Sequence, residues 1–426
     1  MDKKDSRYAK YVQILKEELV PAMGCTEPIS IAYAAAKARE ALGKVPERIL
    51  AEVSGNIIKN VKSVVVPHTG GLRGISAAAA AGAVAGDPNA ELEVISNVSE
   101  DQIKEISEYL DKTEIKVKHA STGHIFDIAI TAYAGDDTSY VRIVDYHTNV
   151  VSVKHGNEVL FEKEIVEASP EAGLTDRSDL TIESIVDFAD SVDLDDVREV
   201  LERQVKYNMA ISEEGLAGDY GANIGSTIML GHEYSLNFVM RAYAAAGSDA
   251  RMNGCELPVV INSGSGNQGI TASVPVVVYG RGRNKTDDEM LRALCVSNLV
   301  TIHIKTGIGR LSAYCGAVSA GCGAGAGIAY LQGGKEDAVA HTVINAIAVD
   351  SGIVCDGAKA SCAAKIASAV DAGLMGLAMY NRGNQFFGGD GIVKDGVEKT
   401  IETVGRLARF GMKETDEEII KLMLEE

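Results

Sequence analysis

Apolar residues recur at intervals of three and four over residues 8–20 (YAKYVQILKEELV), which predicts an amphipathic helix. PAMGCTEP breaks the pattern and ISIAYAAAKAREAL resumes it, with Thr26 suited to the N-cap and Pro28 to the first turn. A β-branched run over Ile49–Val66 follows, then the turn HTGGLRG and an alanine-rich helix over Ser76–Val84. Near residue 90 the period changes. ELEVISNV reads as a strand and SEDQIKEISEYLD as an amphipathic helix. TEIKVKHA, HIFDIAITAYA, SYVRIVDYHTNVVSV and EVLFEKEIV then alternate or carry β-branched residues, as strands do. After the linker ASPEAGLTDRSDLT (168–181) the helical period returns at Ile182 and continues to the C-terminus, with one interruption at NSGSGNQGITASVPVVVYGRG. This order predicts an α+β fold: a mainly helical body of residues 1–89 and 170–426 with an inserted small α+β subdomain over 90–169.

Composition changes this picture little. The chain of 426 residues holds about three domains' worth of material. Apolar residues make up 46% and charged residues 24%, as in ordinary globular proteins. Aromatics are scarce, Trp is absent and there are 44 Gly, so the core is built from small residues that let helix backbones approach closely. The formal net charge of −19, with no local basic stripe, argues against nucleic acid or an anionic membrane as partner. The N-terminus, MDKKDSRYAKYV, has no apolar region of the secretory type. The window Leu311–Leu331 carries no charge and has the length to span a bilayer, but its Gly, Ala and Ser content favours a buried core helix. These features lead us to expect a cytoplasmic protein with no membrane partner, and leave homo-oligomerisation open.

There are seven cysteines: Cys25, Cys255, Cys295, Cys315, Cys322, Cys355 and Cys362. An odd count without a CxxC pair argues against a disulfide framework, and each is consistent with a small buried hydrophobe. Cys295 reads as helical core. Cys25 stands just before a helix start, where the dipole and unpaired N–H groups favour thiolate; a buried turn cysteine is the alternative. In INSGSGNQG (261–269), Gly264, Gly266 and Gly269 let backbone approach a ligand, and Ser263, Ser265, Asn267 and Gln268 offer hydrogen bonds. No GK[ST] follows, and no acidic residue completes a dinucleotide fingerprint, so an anion-binding turn and a plain loop both stand. Cys315 and Cys322 lie in AYCGAVSAGCGAGAG. Cys355 and Cys362 lie seven positions apart in CDGAKASC, two helical turns or a turn and a bend, so both thiols can face one side. Zinc sites of this kind use short Cys pairs or bring in His, whereas His303 and His341 lie in apolar helices. Soft thiolates suit an iron–sulfur cluster, for which three of the last four cysteines suffice, leaving one iron open. HTGGLRG and GNQFFGGDGIV are two further glycine-rich turns, with His68, Arg73, Asn384 and Asp390.

Four stretches, MGCTEPISIAYAAAKA, NSGSGNQG, SAYCGAVSAG and CDGAKASCAAKI, together resemble L-cysteine desulfidase, a family related to the α-chain of the iron–sulfur L-serine dehydratases. The likeness spreads over nearly the whole chain and is weakest in the α+β insert. It implies a catalytic helical body carrying a [4Fe–4S] cluster held by Cys315, Cys355 and Cys362, with Cys322 as the alternative first ligand. It also implies Cys25 as the catalytic base. The last cysteine pair stands closer together than in the serine enzymes, so their spacing carries over only with adjustment. On this reading the substrate is a small amino acid with a leaving group on Cβ. Ser263, Gly264, Ser265, Asn267 and Gln268 bind its carboxylate, and elimination yields pyruvate, ammonia and sulfide. L-Serine dehydration by the same cluster type, a non-catalytic iron–sulfur redox sensor, and a structural zinc protein with four cysteine ligands, Cys322 among them, remain as alternatives.

Overall fold

A glycine- and alanine-rich helix, Gly316–Leu331, lies at the centre of the helical body, buried along nearly its whole length. It packs against Gly266–Gly282, Asp287–Ile308, Glu336–Asp350 and Cys362–Asn381. Close packing of this kind needs residues without side chains at the crossings. A Cβ on Gly321 would stand 2.2 Å from the Ala369 carbonyl oxygen, and one on Gly373 would stand 2.3 Å from that of Gly321. The uncharged window over 311–331 is therefore a core helix from Gly316 onward; residue 311 lies outside the described residues. The computed structural model describes residues 1–120, 122–165, 174–230, 235–309 and 312–425. Among these, one helix, Cys362–Asn381, is long and apolar enough to cross a membrane by length and composition. It carries Lys365 and Asp371 and packs against other helices of the body, chiefly Glu336–Asp350, Gly316–Leu331 and Leu236–Met252.

The expected α+β fold with a mainly helical body is what forms. The sheet has six strands in the order Glu114–His119, Arg48–Val53, Asp127–Ala134, Asp137–Val144, Val150–His155 and Glu158–Glu162. Only the first two pair in parallel; the rest form an antiparallel meander. Helix Thr26–Leu42 covers the sheet over Asp127–Ala134 and Asp137–Val144. Strand Arg48–Val53 thus joins the sheet from before residue 90, and helices Thr26–Leu42, Gly55–Val61 and Gly74–Ala85 pack with the strands in one hydrophobic core that also takes in Met252, Ala358 and Cys362. A second, larger core holds residues 8–22 together with those from Leu180 onward. Of the expected linker, residues 168–173 lie outside the described residues. Beyond them, Thr175 and Arg177 anchor to Glu17 and Glu18 of the first helix, Ser6–Glu18.

Three local expectations need correction. The N-cap before Pro28 is Cys25 and not Thr26, so Pro28 falls on the third helical residue. ELEVISNV is a 3-10 turn over Glu91–Glu93 and then irregular. There Val94 and Ile95 are both buried in the core, and the run takes no place in either sheet. The interruption at 262–282 ends at Ser265, and Gly266–Gly282 is a helix with Pro275 inside it. Its residues are buried on every side, so the run TASVPVVVYG carries no 3.6-residue polar period to reveal it.

Candidate functional site

The turn that follows strand Pro258–Val260 is held by a buried amide network. Asn208 donates to the Val260 carbonyl (3.1 Å) and accepts from its N–H (2.8 Å). Asn262 donates to Asn298 (3.0 Å), which exchanges hydrogen bonds with Gln204 (2.9 and 2.8 Å). Ser263 and Gly264 then take left-handed backbone (φ 49° and 79°) and turn the chain into helix Gly266–Gly282. Gly269 is required here, because a Cβ would stand 2.0 Å from the Val260 carbonyl oxygen. The strand also pairs antiparallel with Pro21–Met23, which brings the GCTEP turn alongside.

Four helices begin in this region. Cys25 is the N-cap of Thr26–Leu42, Ser265 of Gly266–Gly282 and Cys315 of Gly316–Leu331, and Cys362 is the first residue of Cys362–Asn381. None of the four caps makes a side-chain hydrogen bond, so first-turn N–H groups and the positive dipole ends remain available to an anion.

Cys315, Cys355 and Cys362 come together. The segments at 313–315 and 353–355 pair through Cys315 N–H to the Ile353 carbonyl (3.1 Å) and Cys355 N–H to the Ala313 carbonyl (2.7 Å). The Cys315 and Cys355 thiols share a hydrogen bond, and the Cys362 charge acts on Cys315. That hydrogen bond moves the two thiols apart: Cys315 rises well above the usual thiol range, and Cys355 falls below it, helped by the Lys59 and Lys305 ammonium groups. Burial pushes Cys362 up; its Sγ donates to the Gly357 carbonyl at 3.5 Å. Cys355 lies against the larger core and Cys362 against the smaller one, so the thiols meet on the seam between the two.

Cys25 lies on the same seam, 1% exposed, with its Sγ 3.9 Å from Met252 Sδ. Burial pushes its thiol up to about 12, against the charge of Arg251. The thiolate expected from the helix dipole is therefore disfavoured in this state, because desolvation outweighs the dipole. Asn267 connects the parts. Its Oδ1 accepts from Arg251 Nη1 (3.1 Å), and its Nδ2 points to Met252 Sδ (3.6 Å). The Gln268 side chain lies on Gly316, where a Cβ would stand 2.6 Å from Gln268 Cδ, next to Cys315.

Of the residues singled out from sequence, Cys25, Asn267, Gln268, Cys315, Cys355 and Cys362 thus share one region. Ser263 and Ser265 bond back to Asn262 and serve the turn itself. Cys322 is buried mid-helix, and the Asp350 charge, with none of the three thiols, is what acts on it. Cys295 is buried core and Cys255 lies near Tyr220. His303 pairs with Glu398 (2.6 Å), and His341 stacks on Tyr380. His68 faces Glu256 (3.3 Å), Arg73 bonds the Ser63 carbonyl, and Asp390 closes its own exposed turn. Sequence reasoning missed Arg251, Met252 and Lys59. Arg251 and Met252 end an alanine-rich helix that also carries Arg241 and Asp249, so no local signal singles them out. Lys59, in GNIIKNVK, looks like the polar face of any short helix.

Among the described residues, no group of three His, Cys, Asp or Glu side chains stands close enough to hold a single metal ion. The donor set is of another kind. Three soft thiols approach without meeting at one point, next to Gly316, Gly357 and Ala358, with buried lysine charge nearby. Soft thiols beside buried positive charge suit an anionic iron–sulfur cluster, so the residues fit the group that the sequence resemblance implies.

A family model described as serine dehydratase alpha chain matches residues 89–421. A UPF0597 protein of Desulfitobacterium hafniense is 56% identical over 424 residues, covering 100% of this chain and 98% of the relative. UPF0597 proteins of Lachnoclostridium phytofermentans and Treponema denticola are 51% and 49% identical, with 98% and 99% of this chain and 100% and 99% of the relatives covered.

Proposed function

Since the chain belongs to the serine dehydratase alpha chain family, we propose that it is an iron–sulfur-dependent carbon–sulfur lyase that converts L-cysteine to pyruvate, ammonia and hydrogen sulfide. The observation that carries this reading is the meeting of Cys315, Cys355 and Cys362 beside Cys25 at the seam of the two cores. Cys315, Cys355 and Cys362 would hold a [4Fe–4S] cluster whose remaining iron supplies a Lewis acid for the departing sulfur.

The chain's own residues do the rest. In this reading the substrate binds beside Cys25 and the Asn267–Gln268 turn, with first-turn N–H groups of Gly266–Gly282 offered to its carboxylate. Cys25, as thiolate, accepts the α-proton at Sγ. Burial disfavours that thiolate, whereas Arg251 and the start of helix Thr26–Leu42 favour it. Loss of the Cα proton and of the Cβ–S bond leaves aminoacrylate, which water hydrolyses to pyruvate and ammonia. The apolar wall made by Ile29, Met252 and Ala358 keeps bulk water from Cys25. The reading is of a cytoplasmic enzyme acting on a small amino acid, with no nucleic-acid or membrane partner.

L-Serine elimination uses the same constellation, and the family's description favours keeping it as the second reading. Anaerobically purified protein incubated with L-cysteine, then with L-serine, and assayed for sulfide, pyruvate and ammonia decides between them. Sulfide and pyruvate in equal amounts from L-cysteine support the proposal. Pyruvate from L-serine alone replaces it with the dehydratase, and product from neither substrate removes the lyase reading. Cys25→Ala is expected to keep the cluster's visible absorbance and lose turnover.

A further inference from the structure

Among the described residues, Arg251 is a buried cation with no carboxylate partner. It is 5% exposed, its Nε has no hydrogen-bond partner, and no carboxylate among the described residues pairs with it. Among the described residues its hydrogen bond runs from Nη1 to Asn267, a neutral amide. Burying a guanidinium this way is costly, and folded proteins keep such groups paired. The arrangement is also built. A Cβ on Gly266 would stand 2.3 Å from Arg251 Nε and 2.8 Å from Cζ, so the guanidinium lies against backbone that only glycine leaves open. Two residues on, Gln268 is likewise 5% exposed, with Oε1 unpartnered. The end of helix Leu236–Met252 and the first turn of Gly266–Gly282 therefore bring together a guanidinium whose Nε is unpartnered and an unused acceptor, both buried, with the guanidinium's charge acting on the thiol of Cys25.

A carboxylate satisfies the first and an ammonium group the second. We infer that Arg251 binds the α-carboxylate of the substrate and Gln268 Oε1 accepts from its α-ammonium, so that the site selects α-amino acids and not amines or thiols as such. This inference rests on the lyase reading for its substrate and extends it: a guanidinium able to bond the carboxylate bidentately joins the first-turn N–H groups of Gly266–Gly282. Asn267 holds the guanidinium and, through Met252, the Cys25 side. The amino acid bound in this way presents its Cα to that thiol.

The test uses the holoenzyme and two probes that cannot eliminate, L-alanine and ethylamine, titrated calorimetrically, together with KM and kcat for L-cysteine. Arg251→Gln should weaken L-alanine binding and raise KM for L-cysteine roughly 10- to 100-fold, the range of a hydrogen bond to a charged group. Arg251→Lys keeps a buried cation and should fall between the two. Ethylamine, which lacks the carboxylate, should bind wild type and variant equally. Gly266→Ala, which displaces the guanidinium, should reproduce the loss with Arg251 still present. L-Alanine binding that is unchanged in Arg251→Gln, or absent from the wild type, overturns the inference. Arg251-dependent binding of L-alanine by an enzyme that releases neither sulfide nor pyruvate overturns the lyase reading and leaves the clamp standing. Turnover of L-cysteine with an unchanged KM in Arg251→Gln does the reverse.

Discussion

Lys59 and Asp416 tie the C-terminal helix, Lys413–Leu424, to the cysteine site, and their separation can be put in numbers. Lys59 Nζ lies 2.5 Å from Asp416 Oδ1, with side-chain exposures of 1% and 16%, and Asn56 Nδ2 donates to the other oxygen at 3.1 Å. Ile420 packs on Gly55, where a Cβ would stand 2.8 Å from its Cδ1. Asp416→Asn removes the countercharge and keeps the shape, which leaves an ammonium group buried. Breaking a buried pair from one side costs about 3–5 kcal/mol; the partial exposure of Asp416 puts this case at about 3. At roughly 2 °C per kcal/mol for a chain of this size, Tm should fall by about 6 °C. Lys59→Met removes the buried charge instead and leaves Asp416 with Asn56 and solvent, so its cost is smaller. The double variant should stand within about 1 kcal/mol of Lys59→Met alone. The assay is a double-mutant cycle of anaerobic thermal unfolding. Single-variant effects that add to within ~0.5 kcal/mol would refute the coupling and with it the docking of the C-terminal helix on Lys59.

Other consequences follow from the same structure. Gly373→Ala forces helices Gly316–Leu331 and Cys362–Asn381 apart behind the thiols. It should lower Tm by an amount corresponding to about 1–3 kcal/mol and reduce iron per chain, whereas Gly352→Ala, where a Cβ meets nothing within 4 Å, changes neither. Burial raises Asp249 to about 6 against an ordinary 3.8, so the native state holds a proton that the unfolded chain releases. That contribution is complete below about pH 4 and is lost as pH rises through 6. Asp249→Asn should therefore gain on wild type between pH 5 and 7, on the order of 1–2 kcal/mol, and parallel Tm–pH curves would show that Asp249 does not titrate there. With its thiol pushed up by burial, Cys25 as base requires kcat/KM for L-cysteine to keep rising above pH 8; a plateau from pH 6 assigns the proton to another group.

How far the sequence carries depends on whether a residue's role shows in its neighbours along the chain. Strand Asp137–Val144 is legible because its buried and less buried positions alternate, and the period of two survives in the letters. Helix Gly266–Gly282 is not, because burial on all sides erases any period. Strand Arg48–Val53 is recognisable as β-branched, but its place beside Glu114–His119 depends on a crossover that no local pattern announces. The thiol positions are visible as rare soft ligands among small residues. Arg251 and Lys59 are not, since a buried cation and a solvated one are the same letter, and only the fold shows that one lacks a carboxylate and the other leans on Cys355.

The account stands on three thiolates sharing one inorganic core. Iron and acid-labile sulfide per chain, measured with Mössbauer spectra on anaerobically reconstituted protein, test this directly in wild type and in single alanine variants of Cys315, Cys322, Cys355 and Cys362. Wild type and Cys322→Ala should each hold about four irons as one cluster, and the other three variants should lose it. A cluster that survives Cys355→Ala or Cys315→Ala, or that disappears with Cys322, contradicts it.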